Sequence, residues 1–207
     1  WISSEAITDK SVKRSLKDLD GVLVAPGFGE RGIEGKIIAI QYVRENKIPF
    51  FGICLGMQCA VVEFGRNVLG MEGTASTELN PDTPHPVIDL MEDQKNITNM
   101  GGTMRLGSYK CEIKKGSKVY AAYGKRLIDE RHRHRYEFNN LYLKQFEKAG
   151  MKAVGTNPKS KLVEIIELED HPYFVASQFH PELKSTVMSP HPMFISFIRA
   201  TVKNKKN

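Results

Sequence analysis

Two short apolar runs lie in the first third of the chain, and each leads into a stretch with the apolar spacing of a helix. The first run, at 21–26, precedes a stretch at 33–46, and the second, at 48–53, precedes one at 55–64. Continuous apolar runs of this length are typical of strands buried on both faces. Because consecutive strand–helix units pair their strands in parallel, the sequence predicts an α/β fold with an open, mainly parallel central sheet and flanking helices.

The rest of the chain has shorter strand patterns. A region rich in Pro, Asn, Asp and Thr at 70–99 predicts a loop, with room for a short strand at 86–91. A closing helix at 193–203 is predicted to pack Phe194, Phe197, Ile198 and Thr201 inward. The strands predicted for this part are 103–113, 118–122, 131–138, 161–169 and 173–179, the last two as a hairpin, so additional antiparallel strands are expected in the C-terminal half.

The composition favours one soluble globular domain over residues 1–207. Hydrophobic residues make up 41% and charged residues 26% of the chain, without an apolar run long enough to span a membrane. The N-terminus lacks a secretory pattern, so we expect a cytoplasmic protein. The cysteines (Cys54, Cys59, Cys111) have neither metal-type nor disulfide-type spacing, which favours reduced thiols. The net charge of +6 is not interleaved with aromatic residues, so no nucleic-acid partner is expected.

The strongest chemical signal is Gly52-Ile53-Cys54-Leu55-Gly56, at the junction of the second apolar run and its helix. It has the form of a nucleophile elbow, in which small residues two before and two after the nucleophile permit a tight, strained turn. A helix N-terminus favours a thiolate, and the amide of the next residue is free to stabilise an oxyanion. Most free cysteines are small buried hydrophobes, but the flanking glycines favour a nucleophile at Cys54.

A base for this nucleophile is offered by the segment 178–182, QFHPE. Pro181 disfavours helical geometry at His180, and in an extended chain His180 and Glu182 project to the same side, so the carboxylate can orient the imidazole. This segment and Cys54 both follow predicted strands, and functional groups in open α/β sheets gather at the carboxyl ends of strands. The sequence therefore predicts a catalytic triad of Cys54, His180 and Glu182.

Several segments of the chain resemble a known family. GICLGMQ around Cys54 and QFHPE around His180 resemble the triad signature of class I glutamine amidotransferases. Nearly the whole chain resembles the glutaminase domain of CTP synthases, and GGTMRLG and RHRHRYE are its most specific segments. The resemblance implies the flavodoxin-like amidotransferase fold and the hydrolysis of L-glutamine to glutamate and ammonia. The other segments that carry it are 28–36, 76–79, 130–139 and 167–174.

The resemblance assigns a thioester to Cys54, proton transfer to His180 and its orientation to Glu182. The oxyanion would lie between the amide of Leu55 and a glycine amide in the loop after the first strand. The family pattern has two glycines in that loop, whereas this chain has Pro26-Gly27, and proline has no N–H to donate. The expected donor is therefore Gly27.

The resemblance also implies a set of glutamine-binding residues. Glu78 would take the α-ammonium, and Arg135 with Tyr136 would face the α-carboxylate, a task that suits a guanidinium fork. The His-x-His pair at 132–134 is of a kind that can ligate zinc, but no further ligand lies at suitable spacing, so no metal site is expected. The full substrate and oxyanion set is Gly27, Leu55, Gly56, Met57, Gln58, Glu78, Arg135 and Tyr136.

CTP synthases pass ammonia to an N-terminal amidoligase domain that uses ATP and Mg²⁺ to convert UTP to CTP, and the full-length enzyme is expected to be a homotetramer. No Walker-type phosphate loop occurs in this sequence, so the amidoligase domain is expected to be absent here and no cofactor is expected in this domain. Three alternatives remain: a glutaminase serving another synthetase, a cysteine peptidase or chaperone with a similar elbow, and a silent module. The GGTMRLG and RHRHRYE segments argue against another synthetase. A peptidase or chaperone of this type would have His directly after the nucleophile, where this chain has Leu55. The intact residues Cys54, His180 and Glu182 argue against a silent module.

Overall fold

The computed structural model describes residues 1–90 and 104–205 of the chain, which form helices packed on a mixed sheet together with a smaller second sheet. The helices are α1 (Val12–Leu16), α2 (Ile33–Glu45), α3 (Leu55–Asn67), α4 (Lys118–Tyr123), α5 (Leu143–Lys148) and α6 (Pro192–Asn204), and short 3-10 helices span Ser4–Ala6, Asn140–Tyr142 and Pro181–Lys184. The strands are β1 (Val22–Val24), β2 (Phe50–Ile53), β3 (Ala75–Ser76), β4 (Pro86–Asp89), β5 (Arg105–Ile113), β6 (Leu127–His134), β7 (Glu137–Phe138), β8 (Met151–Thr156), β9 (Val163–Leu168) and β10 (Phe174–Ser177).

The larger sheet has the strand order β1-β2-β10-β9-β8-β5-β6, and β3, β4 and β7 form the second sheet. In the larger sheet β2 pairs in parallel with β1 and with β10. The other adjacent strands of this sheet, from β10 to β6 in the strand order, pair antiparallel. The predicted α/β class with flanking helices and added antiparallel strands is confirmed. The sheet is mixed rather than mainly parallel, because the C-terminal strands extend the same sheet.

The predicted strand–helix units are confirmed as β1 with α2 and β2 with α3, and β9 pairs with β10 as the predicted hairpin. The predicted strand at 118–122 is wrong, because this segment is α4. Its first turn is capped by Ser117, whose hydroxyl accepts a hydrogen bond from the Tyr120 amide at 2.9 Å. The apolar residues of this segment fit either a strand or a helix, and the serine cap favours the helix.

The predicted strand at 131–138 is divided between the two sheets, since β6 ends at His134 and β7 begins at Glu137. Helix α5 and strand β8 were not predicted. Residues 91–103 include the end of the predicted loop and part of the GGTMRLG segment, and they lie outside the described residues.

The core occupies both faces of the larger sheet, since every residue of β2 and β10 is buried. Phe50 and Phe174 belong to the cluster covered by α2 and α3, with ring centroids 4.3 Å apart. Phe51 points to the opposite face and packs against Phe197 of α6, with ring centroids 6.0 Å apart. Each such phenylalanine stabilises the fold by about 1.5–3 kcal/mol on burial, so these contacts fix β2 between two layers of helices.

Helix α6 faces the sheet through Met193 and Phe197, which lie one turn apart and are buried. Phe194 packs partly buried against the same cluster, as predicted. The prediction that Ile198 packs inward is wrong, because its side chain is 56% exposed. Successive residues of a helix are turned by about 100°, so the residue after Phe197 points away from the sheet.

Candidate active site

The elbow between β2 and α3 has the strained backbone that its sequence predicts. Cys54 has φ 51° and ψ −100°, a conformation that costs a residue other than glycine about 1–3 kcal/mol. A Cβ on Gly56 would lie 2.4 Å from the carbonyl oxygen of Val24, and a Cβ on Gly52 would lie 2.8 Å from the carbonyl carbon of Gly56. Both glycines are therefore required for α3 to approach β1 and β2 this closely.

The predicted base is brought to the nucleophile by strand pairing. β10 lies parallel to β2 with Ser177 opposite Ile53, so the residues that follow both strands emerge at the same edge of the sheet. The amide of Cys54 donates to the carbonyl oxygen of Ser177 at 2.7 Å, and the amide of His180 donates to that of Arg131 at 2.8 Å. These backbone bonds hold Cys54 and His180 at one end of the parallel strands, as the sequence predicts.

The imidazole of His180 is oriented by Glu182. Its Nδ1 lies 2.6 Å from Oε1 of Glu182, which belongs to the 3-10 helix that follows His180. Its Nε2 is buried and has no hydrogen-bond partner among the described residues, so this nitrogen is available for proton transfer. Burial by itself would lower the pKa of His180, but interactions with Cys54 and with Glu182 outweigh burial and raise it to about 10.

Cys54 and His180 open onto a cleft of about 620 Å³. The cleft is also lined by opposite charges, a carboxylate on Glu78 and a guanidinium on Arg135. Of the residues predicted to bind substrate or oxyanion, the structure brings these to the cleft walls: Gly27, Gln58, Glu78, Arg135 and Tyr136. The cleft is also lined by Pro26, Phe28 and Gly29 of the predicted oxyanion loop, and by residues that the sequence reasoning gave no role there: Met104, Arg133 and His134.

The charged groups of the cleft influence each other. Partial burial raises the pKa of the Glu78 carboxyl, and the charge of Arg135 opposes this shift. Nε of Arg135 is buried and has no hydrogen-bond partner among the described residues, so it can donate to a ligand in the cleft. Burial, together with the charge of Glu78, raises the pKa of Tyr136. The carboxylate and the guanidinium thus suit a ligand that carries one charge of each sign.

Three predicted binding residues lie at the start of α3. Gly56 packs against Val24, and the side chain of Met57 is fully buried in the hydrophobic core, so both can reach a ligand only through the backbone. Gln58 donates through Nε2 to the carbonyl oxygen of Tyr136 at 3.1 Å and to Oε1 of Gln178 at 3.4 Å. Both N–H groups of this amide are thereby used within the protein, and Oε1 is the polar atom that Gln58 can offer a ligand.

The two residues expected to donate to the oxyanion are neighbours in space. A Cβ on Gly27 would lie 3.3 Å from Cδ2 of Leu55, so the loop after β1 touches the first residue of α3. Gly27 and Pro26 both line the cleft. Because proline lacks an N–H, Gly27 is the residue of this pair that can donate.

The other cysteines are unsuited to nucleophilic chemistry. Burial raises the pKa of Cys59 to about 12 and also raises that of Cys111. All three cysteines are buried, but Cys54 also lines the cleft, which neither Cys59 nor Cys111 does. A nucleophile must reach its substrate, so its place in the cleft wall singles out Cys54.

A buried charge network adjoins the cleft at His134. Nδ1 of His132 lies 2.8 Å from Nε2 of His134, and burial lowers the pKa of these imidazoles to about 2 and about 3. Arg105 donates to Glu137 at 2.9 Å and to Glu164 at 2.8 Å. The histidines form a neutral pair supported by this ion network, and no metal-binding group of three His, Cys, Asp or Glu occurs among the described residues.

Gln178 belongs to the site, although the sequence reasoning gave it no role. It is fully buried, and its Nε2 lies 3.6 Å from the sulfur of Cys54. The available signal was an amide side chain immediately after an apolar strand and two positions before His180.

No helix within 1–90 or 104–205 is long and apolar enough to cross a membrane.

Comparison with known proteins agrees with this geometry. The family Glutamine amidotransferase class-I matches residues 2–200. CTP synthases of Cytophaga hutchinsonii and Bacteroides thetaiotaomicron are 65% and 58% identical over 209 and 207 residues; these alignments cover 100% of this chain but only 39% and 38% of the relatives. The solved glutaminase domain of Trypanosoma brucei CTPS with bound acivicin matches with a TM-score of 0.93 and 38% identity, covering 98% of this chain and 80% of that one. The predicted resemblance is confirmed, and the chain spans about two fifths of the length of these curated relatives.

Proposed function

This chain belongs to the class I glutamine amidotransferases, as a glutaminase domain of the CTP synthase type, and from that premise we propose that it hydrolyses L-glutamine through a thioester on Cys54. The observation that carries the proposal is the convergence of Cys54 and His180, held by Glu182, on a cleft that also presents Glu78 and Arg135. A nucleophile and its base face a carboxylate and a guanidinium, which complement the two charges of an amino acid.

The proposed reaction begins when the Cys54 thiolate attacks the side-chain amide carbon of glutamine. A C–S bond forms and an electron pair moves to the amide oxygen, where the amides of Gly27 and Leu55 stabilise it. When the pair returns, the C–N bond breaks and the leaving nitrogen takes a proton from His180 to depart as ammonia. Water then forms a C–O bond, His180 accepts its proton, and the C–S bond breaks to release glutamate.

The state of His180 suits the first of these proton transfers. Because its pKa is raised to about 10, the imidazole carries a proton at neutral pH beside Cys54. Glu182 holds Nδ1, so the proton on Nε2 is the one that can be passed to the leaving nitrogen. The carboxylate of Glu182 also stabilises the positive charge of the imidazolium.

Glutamine is held at its amino-acid end in this proposal. Glu78 accepts hydrogen bonds from the α-ammonium, and Arg135 donates to the α-carboxylate through its Nε, which has no partner within 1–90 and 104–205. Tyr136 also lines the cleft, and Oε1 of Gln58 is available to accept from the substrate. These contacts place the side-chain amide towards Cys54, the position from which attack can occur.

The proposal is tested by exposing the purified chain to acivicin, a glutamine analogue, and measuring its intact mass. We expect one adduct, mapped to Cys54, that excess glutamine prevents and that Cys54→Ser abolishes. Cys59→Ala is the matched control, because Cys59 lies in the helix that follows Cys54 but is buried with a high pKa, so this variant should still be labelled. Absence of an adduct, or labelling shared with Cys59 and Cys111, would contradict the proposal and favour a silent module.

We propose further that the ammonia serves a CTP synthase amidoligase domain that uses ATP and Mg²⁺ to convert UTP to CTP. The support is the full coverage of this chain by CTP synthases more than twice its length. We place the working enzyme in the cytoplasm as a homotetramer without nucleic acid, with nucleotides and Mg²⁺ bound only by the amidoligase domain. Sedimentation of a full-length enzyme carrying this chain tests the tetramer.

The link to CTP is tested by replacing the glutaminase part of the Cytophaga hutchinsonii enzyme with this chain. We expect the chimera to form CTP from UTP with glutamine as nitrogen source, and Cys54→Ser to remove this activity while leaving the activity with ammonium. If the chimera hydrolysed glutamine and formed CTP with ammonium but not with glutamine, this chain would serve a different synthetase.

A further inference from the structure

The side chain of Gln178 is placed to act on the nucleophile itself. Its backbone amide donates to the carbonyl oxygen of Glu164 at 2.8 Å, which continues the pairing of β10 with β9 beyond the end of the strand. The side chain is fully buried, and Nε2 lies 3.6 Å from the sulfur of Cys54, within the range of an N–H···S hydrogen bond. A fixed piece of backbone thus holds an amide against the reacting sulfur.

The orientation of this amide is set by a second one. Oε1 of Gln178 accepts from Nε2 of Gln58 at 3.4 Å, and the same nitrogen of Gln58 donates to the carbonyl oxygen of Tyr136 at 3.1 Å. Because the backbone carbonyl oxygen of Tyr136 can only accept, the atom that Gln58 directs towards it must be Nε2. That nitrogen can only donate, so its other neighbour, on Gln178, must be an oxygen. The oxygen of Gln178 therefore faces Gln58, and its N–H faces the sulfur of Cys54.

A donor at this position distinguishes between the two forms of the nucleophile. A thiolate accepts a hydrogen bond far better than a thiol does, so a fixed N–H stabilises the charged form. The same donor favours departure of the thiolate when the C–S bond of the thioester breaks and the electron pair returns to sulfur. The hydrogen bond costs little reorganisation, because Gln178 is held by its backbone and by Gln58 before substrate arrives.

We propose that Gln178 is a catalytic hydrogen-bond donor to the Cys54 thiolate and that Gln58 is the positioning residue that orients it. This role deepens the proposed glutaminase function and rests on it for its catalytic meaning. Gln58 then has two tasks, since its Nε2 aligns Gln178 and its Oε1 remains for the substrate.

The first test is the pH dependence of Cys54 alkylation by iodoacetamide, read by peptide mass spectrometry, in the wild-type chain and in Gln178→Met. Methionine keeps a similar volume but has no N–H to donate. We expect the midpoint of the profile to move about one pH unit upward, so that alkylation is about tenfold slower at pH values well below the wild-type midpoint. Gln58→Met should move the midpoint in the same direction by less. An unchanged midpoint in Gln178→Met would overturn the proposal.

A second measurement avoids variants that fail to fold. In the wild-type chain labelled with ¹⁵N-glutamine, the side-chain amide of Gln178 should shift as Cys54 titrates and shift again after alkylation. A Gln178 resonance that does not respond to either change would overturn the proposal. Because iodoacetamide does not require a glutamine pocket, these results are separate from the acivicin test. A shifted alkylation midpoint without acivicin labelling would reject the glutaminase and keep the hydrogen bond, and the opposite pair of results would reject the hydrogen bond alone.

Discussion

The buried pairing of Arg105 should matter far more for stability than an exposed ion pair of the same geometry. Arg105 lies 2.8 Å from Glu164 and 2.9 Å from Glu137, and all three side chains are nearly inaccessible. Arg126 and Glu112 also approach to 2.8 Å, but their side chains are 73% and 37% exposed. The chain therefore contains a matched comparison in which mainly solvent exposure and the number of partners differ.

Arg105→Met leaves the carboxyl groups of Glu137 and Glu164 in the interior without their cation. Removing one partner of a buried ion pair costs about 3–5 kcal/mol, because the remaining charge stays desolvated. Arg126→Met removes an exposed pair, which is worth about 0–1 kcal/mol. We expect this difference in the free energy of unfolding at pH 7.5, measured by urea denaturation followed by far-ultraviolet circular dichroism. Losses that agree within about 1 kcal/mol would refute the reasoning.

The pH dependence provides a second check. Burial raises the pKa of Glu137 to about 8 although Arg105 opposes the shift. A carboxyl whose folded pKa is above its unfolded value stabilises the fold when protonated, and this contribution is lost as pH rises from about 4.3 through about 8. Without Arg105 the pKa rises further, so the loss in Arg105→Met should shrink as pH falls from 8 to 5. The variant that also carries Glu137→Gln and Glu164→Gln should recover most of the stability, and a pH-independent loss would contradict this account.

Three further changes test the site. Gly56→Ala places a Cβ 2.4 Å from the carbonyl oxygen of Val24, so urea denaturation should show a loss of about 1–3 kcal/mol, and unchanged stability would contradict the close approach. Glu182→Gln removes a charge that raises the pKa of His180, so the alkaline limb of the glutaminase pH profile should move to lower pH; a fixed limb would argue against that charge effect. Arg135→Lys should raise KM for glutamine about tenfold with a smaller change in kcat, because an ammonium lacks the fork, and a change confined to kcat would place Arg135 elsewhere in the reaction.

The sequence predicted the elbow and the contact between His180 and Glu182 because both depend on local chain geometry. Two glycines around Cys54 and the spacing of His180 and Glu182 restrict the backbone within a few residues, and an apolar run before each segment predicts a strand that ends there. The structure has the strained φ of Cys54 and the contact between His180 and Glu182. The substrate residues came instead from the resemblance, and their roles stay predictions, while the structure places Glu78 and Arg135 in one cleft.

Only the tertiary structure decided how distant segments pair. Strand direction in the C-terminal half depends on which edge each strand joins, and an apolar alternation is the same for parallel and antiparallel neighbours. The sequence reasoning did not reveal that Arg105 meets Glu164, or that the amide of Gln178 lies between Gln58 and the sulfur of Cys54. Such contacts join residues far apart in the chain, and they exist only because β5, β9 and β10 lie in one sheet beside the elbow.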